Sequence, residues 1–471
     1  MTITPSLGIP RMSENTRAYD VVVVGATRAG IAAANEALQR DLAVCLLDAH
    51  PVAGIHESLW LDLRRRTGFL RAALENKGLE LIRRDAAREI WSELASCDQE
   101  RILLDSLRPL SDAGVVVLRG SAHFVSPSCL ELADGTQILS RAFVIATGTA
   151  PRRPGRFRFD DRTVFDSQTF LRAPRPPRSV VIVGADWTGC EWANMCCSVG
   201  AKVTLIDRRS RLLRALDAEV RLAVQSSLHE MGVDIVLEEE FVSVNEGPHG
   251  GCCIRLASGR NEVADRLLVL AGSTGNTHEL ELAELGVQLD AFGHVLVDDC
   301  LQSSVEGIFA IGSVIDPIGL APSSLLQASV AVSAATGETP SFRTGVPWVL
   351  HSSVEVAMCG LTEEACAMLD IAVDVGRATS PQPSHHMPHL AKVVVARSDG
   401  RILGAQMVGP GAAEAIHVAS ESVDRNVPLE DCAQLCCTER TMAELYWAAL
   451  QSTIVQRQRG AHSGIAGETS P

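Results

Sequence analysis

The 471-residue sequence has no apolar run near the ~18 residues that a membrane span requires. It does not open on a secretory signal either, because MTITPSLGIPRMSENTR carries prolines at positions 5 and 10 and no apolar core. These two absences lead to the expectation of a cytoplasmic protein with no membrane partner. Positive charge is scarce too: 42 Lys and Arg face 57 Asp and Glu, a formal net charge of −15. Such a field repels a phosphate backbone, so nucleic acid is not an expected partner. Paired cysteine motifs are also missing. The 14 cysteines are scattered through a long chain, and they read as reduced, mostly buried thiols. The densest group, Cys432, Cys436 and Cys437, lacks C-x-x-C spacing and a nearby histidine, so it reads as helix-face packing and no metal site is expected.

What is present is enough apolar material, 46% of residues, for two or three ordinary domains. Residues 19–48, YDVVVVGATRAGIAAANEALQRDLAVCLLD, run from a short apolar stretch through a small-residue turn and an alanine-rich helical pattern to a second apolar stretch ending in an acid. That order is a βαβ unit. Residues 178–207, RSVVIVGADWTGCEWANMCCSVGAKVTLID, repeat it. Two such units predict an α/β fold with two Rossmann-like dinucleotide-binding domains, or one domain inserted within another. GVVVLRGSAHFV and CLELADGTQIL read as short strands with an Asp-Gly turn, and KVVVARSDGRILGAQMVG reads as a hairpin around Asp399 and Gly400.

A dinucleotide turn needs small residues for a tight bend, for approach of the diphosphate to the backbone, and for helix-to-strand packing. In the first unit these positions are Gly25, Thr27 and Gly30, and the Thr27 hydroxyl is read as a possible donor to phosphate. Asp48 ends the second strand, where an acid accepts from ribose hydroxyls. In the second unit the positions are Gly184, Asp186 and Gly189, followed by Asp207 for a ribose diol and by Arg208 and Arg209 for a 2′-phosphate. The choice between NAD and NADP stays open. Asp186 is the serious departure. A carboxylate ~4 Å from a phosphate charge opposes binding by about 4 kcal/mol at an effective dielectric of ~20, unless it turns away or pairs with an arginine.

Further motifs accompany the two units: Ala146-Thr147-Gly148, GCEWA at 189–193, SRLLRALDAEV at 210–220, GAAEAIHVASESV, and TMAELYWAAL. Over residues 19–450 or so the chain resembles the pyridine nucleotide-disulfide oxidoreductase superfamily, most nearly its soluble pyridine nucleotide transhydrogenases. The resemblance implies FAD with NAD or NADP, and a homodimer built on a C-terminal α+β dimerisation domain. It places an FAD-binding domain at 18–150 and 271–340, an inserted NAD(P)-binding domain at 151–270 and a dimerisation domain at 345–455; outside it, 1–17 and the polar tail at 456–471 are expected to be disordered.

The resemblance also assigns site residues and exposes departures. Thr147, Gly148, Gly312 and Ser313 fall on flavin-contact motifs, with Ser313 where the family has an acid. Gly272-Ser273 stands where a Gly-Arg pair is usual. His56 and Leu61 fall near the positions of the redox cysteines, and no cysteine occurs between Cys45 and Cys97. Arg65 falls near the family lysine and Glu191 on its glutamate partner, so the two are expected to pair. At the C-terminal loop Glu439 and Arg440 occupy the place of a His-Pro pair, and Glu444 is the surviving acid. His417 reads as interface packing, and His385 and His386 as solvated.

Two functions follow. The first is an enzyme that moves hydride from NAD(P)H through flavin to a second acceptor of unknown identity, which needs no disulfide; lipoamide or glutathione reduction is not expected. The second is a catalytically silent dimer, a scaffold or weak nucleotide binder, because the departures gather at cofactor contacts.

Overall fold

The computed structural model describes residues 16–48, 99–315, 324–340, 344–350, 355–380, 389–434 and 436–465, together with residue 352 and part of 85–96. Arg65, His56, Leu61, His385 and His386 lie outside the described residues. The chain forms two compact units.

The first unit draws on residues 16–48, 99–152 and 272–340. Its central strand, Thr16–Val24, pairs in parallel with Val44–Asp48 on one side and Gln137–Ile145 on the other. Val116–Arg119 extends the sheet beyond Val44–Asp48, and Ile308–Ala310 joins Gln137–Ile145, both in parallel. A parallel sheet is covered on both faces, which is why Val21–Val24 is unbroken valine rather than an alternating pattern. Val21 and Val23 pack with the alanines of helix Arg28–Leu38 and with Ala328, Ala331 and Val332 of helix Ser324–Ala335. Val22 and Val24 point to the other face, among Leu47, Phe143, Ile145, Leu280 and Leu282. The first strand starts at Thr16, opposite Gln137, so it takes up the end of the segment expected to be disordered. The ladder bonds available along the long Gln137–Ile145 strand explain the earlier start.

The second unit holds the other βαβ repeat and the C-terminal region. Its parallel sheet runs in the order Val233–Val236, Lys202–Ile206, Ser179–Val183, Arg266–Val269, Val164–Phe165. A three-stranded antiparallel sheet follows, from Phe241–Glu246, Cys252–Leu256 and Asn261–Ala264. The C-terminal sheet is antiparallel, in the order Trp348–Leu350, Val356–Gly360, Ile402–Val408, Leu390–Ala396, Val373–Thr379. Helices Ala412–Asp424 and Met442–Ile465 bury Ile416, Ala419, Tyr446 and Ala449 in the core of this sheet. The last helix continues through Gln456 to Ile465, which corrects the expected disordered tail over that stretch. Arg457 anchors it, donating to Asp374 Oδ2 at 3.2 Å and to the Ala396 carbonyl at 3.1 Å.

One buried cation joins the parts of this second unit. Lys392, 2% exposed, projects from strand Leu390–Ala396 to Asp217 at 2.8 Å, Glu219 at 2.6 Å and Glu363 at 2.7 Å. Asp217 also accepts the backbone N–H groups of Glu363 and Glu364 and an amide N–H of Gln406. Burial raises the Asp217 carboxyl, but the Lys392 hydrogen bond and charge and the two N–H donors outweigh it, so its pKa lies below the ordinary value. Burial likewise lowers the Lys392 ammonium, and its three carboxylate partners outweigh that and raise it. An acid with a depressed folded-state pKa contributes stability above its unfolded pKa and loses it as pH falls through the folded value. A raised lysine keeps its contribution until pH climbs through its folded value.

Replacing Lys392 by Met strands the buried Asp217 carboxylate and is expected to cost about 3 kcal/mol at neutral pH. Urea unfolding at several pH values should show the gap between wild type and K392M narrowing as the medium becomes acidic. A gap that stayed constant into acid would contradict the assigned pairing.

Candidate dinucleotide sites

The first turn forms because Gly25 leaves strand Thr16–Val24 at φ +113°, a backbone conformation that side chains resist. A Cβ on Gly25 would lie 2.4 Å from the Ala146 carbonyl oxygen, and one on Gly30 would lie 1.9 Å from the Gly25 carbonyl oxygen. Helix Arg28–Leu38 can therefore approach the strand only through glycines. Thr27 is the N-cap of that helix: its hydroxyl accepts the Gly30 N–H at 3.3 Å and donates to the Ala146 carbonyl at 2.7 Å. The expected hydroxyl donation to a phosphate is thereby corrected, since its single proton is committed to a backbone acceptor.

The same turn gathers the other first-unit candidates. A Cβ on Gly148 would meet the Thr27 methyl at 3.3 Å and the Ser313 hydroxyl at 3.5 Å. Gly312, at φ +79°, gives its N–H to Gln327 at 2.6 Å. Asn276 donates its side-chain amide to the Thr147 carbonyl and its backbone N–H to the Gly148 carbonyl. Asp48 is 1% exposed, with Arg119 Nε 3.8 Å from its Oδ2, so it is not a solvated strand end. Gly25, Thr27, Gly30, Thr147, Gly148, Gly312 and Ser313 are thus brought to one place. Gln327 and Asn276 were missed by sequence reasoning, because no local signal marks a side chain that reaches a turn elsewhere in the chain.

The second turn repeats the construction. Gly184 sits at φ +114°, and a Cβ on Gly189 would lie 1.8 Å from the Gly184 carbonyl oxygen. Asp207 is 7% exposed and spends one oxygen on the Ala185 N–H at 2.8 Å and the other on the Arg209 N–H at 2.9 Å. Asp186 is the N-cap of helix Trp187–Ser198 and accepts the Trp187 N–H at 3.2 Å. Arg209 lies 3.7 Å and Arg214 4.0 Å from its Oδ2. The carboxylate that sequence reasoning flagged is therefore paired with two guanidinium groups, one of them Arg214, which had not been singled out.

Residues 19–335 match the family described as pyridine nucleotide-disulphide oxidoreductase, and residues 346–450 match its dimerisation domain. The chain belongs to the pyridine nucleotide-disulphide oxidoreductase family. It is 31% identical to the soluble pyridine nucleotide transhydrogenase of Colwellia psychrerythraea, over 85% of this chain and 90% of that protein. It is 33% identical to the enzyme of the same name from Pseudomonas paraeruginosa, over 70% of this chain and 74% of that one. In fold it is similar to LpdA from Mycobacterium tuberculosis, at a TM-score of 0.77 and 21% identity over 92% of this chain and 99% of that one. The HOCl-induced flavoprotein disulfide reductase RclA from Escherichia coli gives a TM-score of 0.75 at 21% identity, with 92% and 99% covered.

Membership of this oxidoreductase family implies FAD and a nicotinamide nucleotide, and the first turn fits a dinucleotide. Its glycines let the start of helix Arg28–Leu38 close onto the strand end, and the Thr147 hydroxyl is buried with no hydrogen-bond partner among the described residues. The second turn has the same glycine frame, but there a diphosphate must contend with the Asp186 carboxylate. Glu191 is 3% exposed in helix Trp187–Ser198, and its expected partner Arg65 lies outside the described residues. Glu439 is exposed, whereas the Glu444 carboxylate accepts the Arg440 N–H and its own N–H donates to Thr441 Oγ1 at the start of the last helix. Among the described residues no group of three or more His, Cys, Asp or Glu side chains could hold a metal ion, and no helix is long and apolar enough to cross a membrane.

The Thr27 hydroxyl ties the helix start to the Ala146 turn, so Thr27→Val, which keeps the shape and removes both bonds, is expected to lower stability by about 1–2 kcal/mol. Urea denaturation checks it, and an unchanged midpoint would show that the hydroxyl carries no such tie.

Proposed function

We propose that the chain is an FAD-dependent pyridine nucleotide oxidoreductase of the transhydrogenase type, acting as a homodimer in the cytoplasm on NADH or NADPH and passing hydride to a second acceptor without a redox disulfide. The observation that carries this reading is the pair of glycine-built turns, each bringing a helix N-terminus up to a strand end as a dinucleotide-binding βαβ unit requires. Relatives named soluble pyridine nucleotide transhydrogenase agree with it. So does the lack of any cysteine between Cys45 and Cys97, which suits hydride transfer and disfavours disulfide reduction.

On this reading Gly25 and Gly30 set the tight turn and helix approach that seat the adenine dinucleotide of FAD, Gly148 and Gly312 shape the adjoining turns, Thr147 supplies a buried hydroxyl, and Asp48 answers the ribose. Ser313 offers a hydroxyl to the flavin side chain in place of an acid. Gly184, Gly189 and Asp207 shape the nicotinamide nucleotide seat, with Arg209 available for a 2′-phosphate. Arg65 and Glu191 are proposed to form an ion pair in the manner of the family's lysine and glutamate, and Glu439 and Glu444 to border the C-terminal loop. When bound, flavin supplies the acceptor and donor of hydride; the protein orients the nucleotides and excludes water.

One observation favours the silent-homologue reading: each dinucleotide turn has its helix start capped by the chain's own side chain, Thr27 or Asp186. Visible absorption of the gently purified protein separates the two, because a flavin band supports the enzyme and a colourless protein after soaking with FAD overturns it. Anaerobic mixing with NADH and NADPH in turn then reads which nucleotide reduces the flavin. Asp186→Gly is expected to tighten nicotinamide nucleotide binding at least tenfold, about 1.4 kcal/mol. Titration calorimetry giving equal affinities for D186G and wild type would show that the carboxylate leaves the diphosphate seat free.

A further inference from the structure

A second arrangement of reactive groups lies in the first unit. Ser273 begins the short strand Ser273–Gly275, which pairs with Thr149–Pro151. Its hydroxyl lies 3.2 Å from Nε2 of His294, and Nδ1 of that ring lies 3.0 Å from Oδ2 and 3.2 Å from Oδ1 of Asp290. The three groups form an unbroken chain of hydroxyl, imidazole and carboxylate.

Each link has a fixed chemical role. Asp290 Oδ1 accepts the backbone N–H groups of Phe292 at 2.8 Å and His294 at 2.9 Å, so the carboxylate is held in a tight turn. Burial raises its pKa, but these bonds and the His294 ring outweigh that, and the group titrates below its ordinary value. An ionised carboxylate only accepts, so neutral His294 carries its proton on Nδ1 and turns the Nε2 lone pair toward Ser273. The Ser273 O–H then donates to a base that a third group has oriented, which is the geometry of an activated hydroxyl.

The surroundings hold this geometry in place. The Gly275 N–H donates to the Phe292 carbonyl at 2.9 Å and Thr277 Oγ1 to the Gly293 carbonyl at 2.8 Å, so the 290–294 turn is pinned to the strand that bears Ser273. His294 is 1% exposed and cannot swing away, while Ser273 is partly exposed. Gly272 beside it, at φ +90°, has open space where a Cβ would sit. Arg152 binds the Gly272 carbonyl through its backbone N–H at 2.9 Å and stacks its guanidinium 4.5 Å over Phe292. Its Nε is buried without a hydrogen-bond partner among the described residues.

We infer that Ser273, His294 and Asp290 form a serine-nucleophile site that accepts acyl groups from carboxylic esters, an activity separate from hydride transfer. The Ser273 oxygen bonds to the acyl carbon, the ester C–O bond breaks, and the hydroxyl proton passes to His294 Nε2 and on to the departing alkoxide. Water then attacks the acyl-serine, giving its proton to the same nitrogen, and the carboxylic acid leaves as the Ser273 O–H re-forms. Asp290 is a positioning residue that fixes the tautomer. No flavin or nicotinamide takes part, so the inference does not rest on the proposed oxidoreductase activity.

The test uses the full-length protein, a fluorophosphonate probe and p-nitrophenyl acetate. Intact mass followed by peptide mapping should find one phosphonyl adduct, on Ser273, and S273A should carry none. His294→Gln keeps a donor toward Asp290 but removes the base, and should slow both labelling and ester cleavage by about 100-fold or more. Asp290→Asn should slow both as well, and thermal melts of the variants report whether they fold. Absence of a Ser273 adduct on the wild-type protein overturns the inference. So does a labelling rate that folded H294Q or D290N leaves unchanged, because a hydrogen-bonded but purely structural histidine predicts that result.

Discussion

Both dinucleotide turns depend on one contact, the close approach of a helix to the carbonyl of the glycine that follows the preceding strand. A single Cβ at Gly30 or Gly189 would fall 1.9 or 1.8 Å from that oxygen, well inside any tolerable separation. The contact does more than pack a helix. It brings the N-terminus of the helix to the strand end, where its free N–H groups and its dipole are aimed at one point. Each sheet orders its strands around that point, with Val44–Asp48 and Gln137–Ile145 flanking the first and Lys202–Ile206 and Arg266–Val269 flanking the second.

Free N–H groups at a helix start must be satisfied, and here the chain does part of that work itself. Thr27 takes one with a neutral hydroxyl that also bonds Ala146, and Asp186 takes one with a full negative charge. The two choices differ physically. A hydroxyl leaves the local field positive and open to an anion, whereas a carboxylate cancels it and draws Arg209 and Arg214 toward itself. The first turn therefore keeps more of the electrostatics of an anion seat than the second.

The βαβ units were legible in sequence because their signal is local: an apolar run, a glycine turn, a helical stretch and a second run within some thirty residues. Gly25, Gly30, Gly184 and Gly189 could be placed for the same reason. What could not be read are contacts made by residues far apart in the chain. Gln327 reaching Gly312, Arg214 folding back to Asp186, and Lys392 bridging Asp217 and Glu363 leave no periodicity behind them. The Asp290–His294 turn is similar, since its Asx-type bonds are local but the serine they serve is not. The last helix was misjudged for a related reason. Its residues after Gln456 look polar and unanchored until Arg457 meets Asp374, which comes from another strand.

A pattern in the departures from the family follows from where free energy is spent. A glycine that lets two backbones touch is required for folding whether or not any ligand binds, so Gly25, Gly30, Gly184 and Gly189 are held by packing alone. A residue whose role is to meet a cofactor has no such constraint, and Thr27, Asp186 and Ser313 are proposed to stand at positions of that kind. Each has found a use inside the protein or beside it: a cap, a paired carboxylate, a hydroxyl against Gly148. Ser273 likewise meets a histidine. Substitution at ligand contacts thus re-routes local hydrogen bonds and leaves the frame intact, and one family fold can carry a new arrangement of reactive groups without loss of architecture.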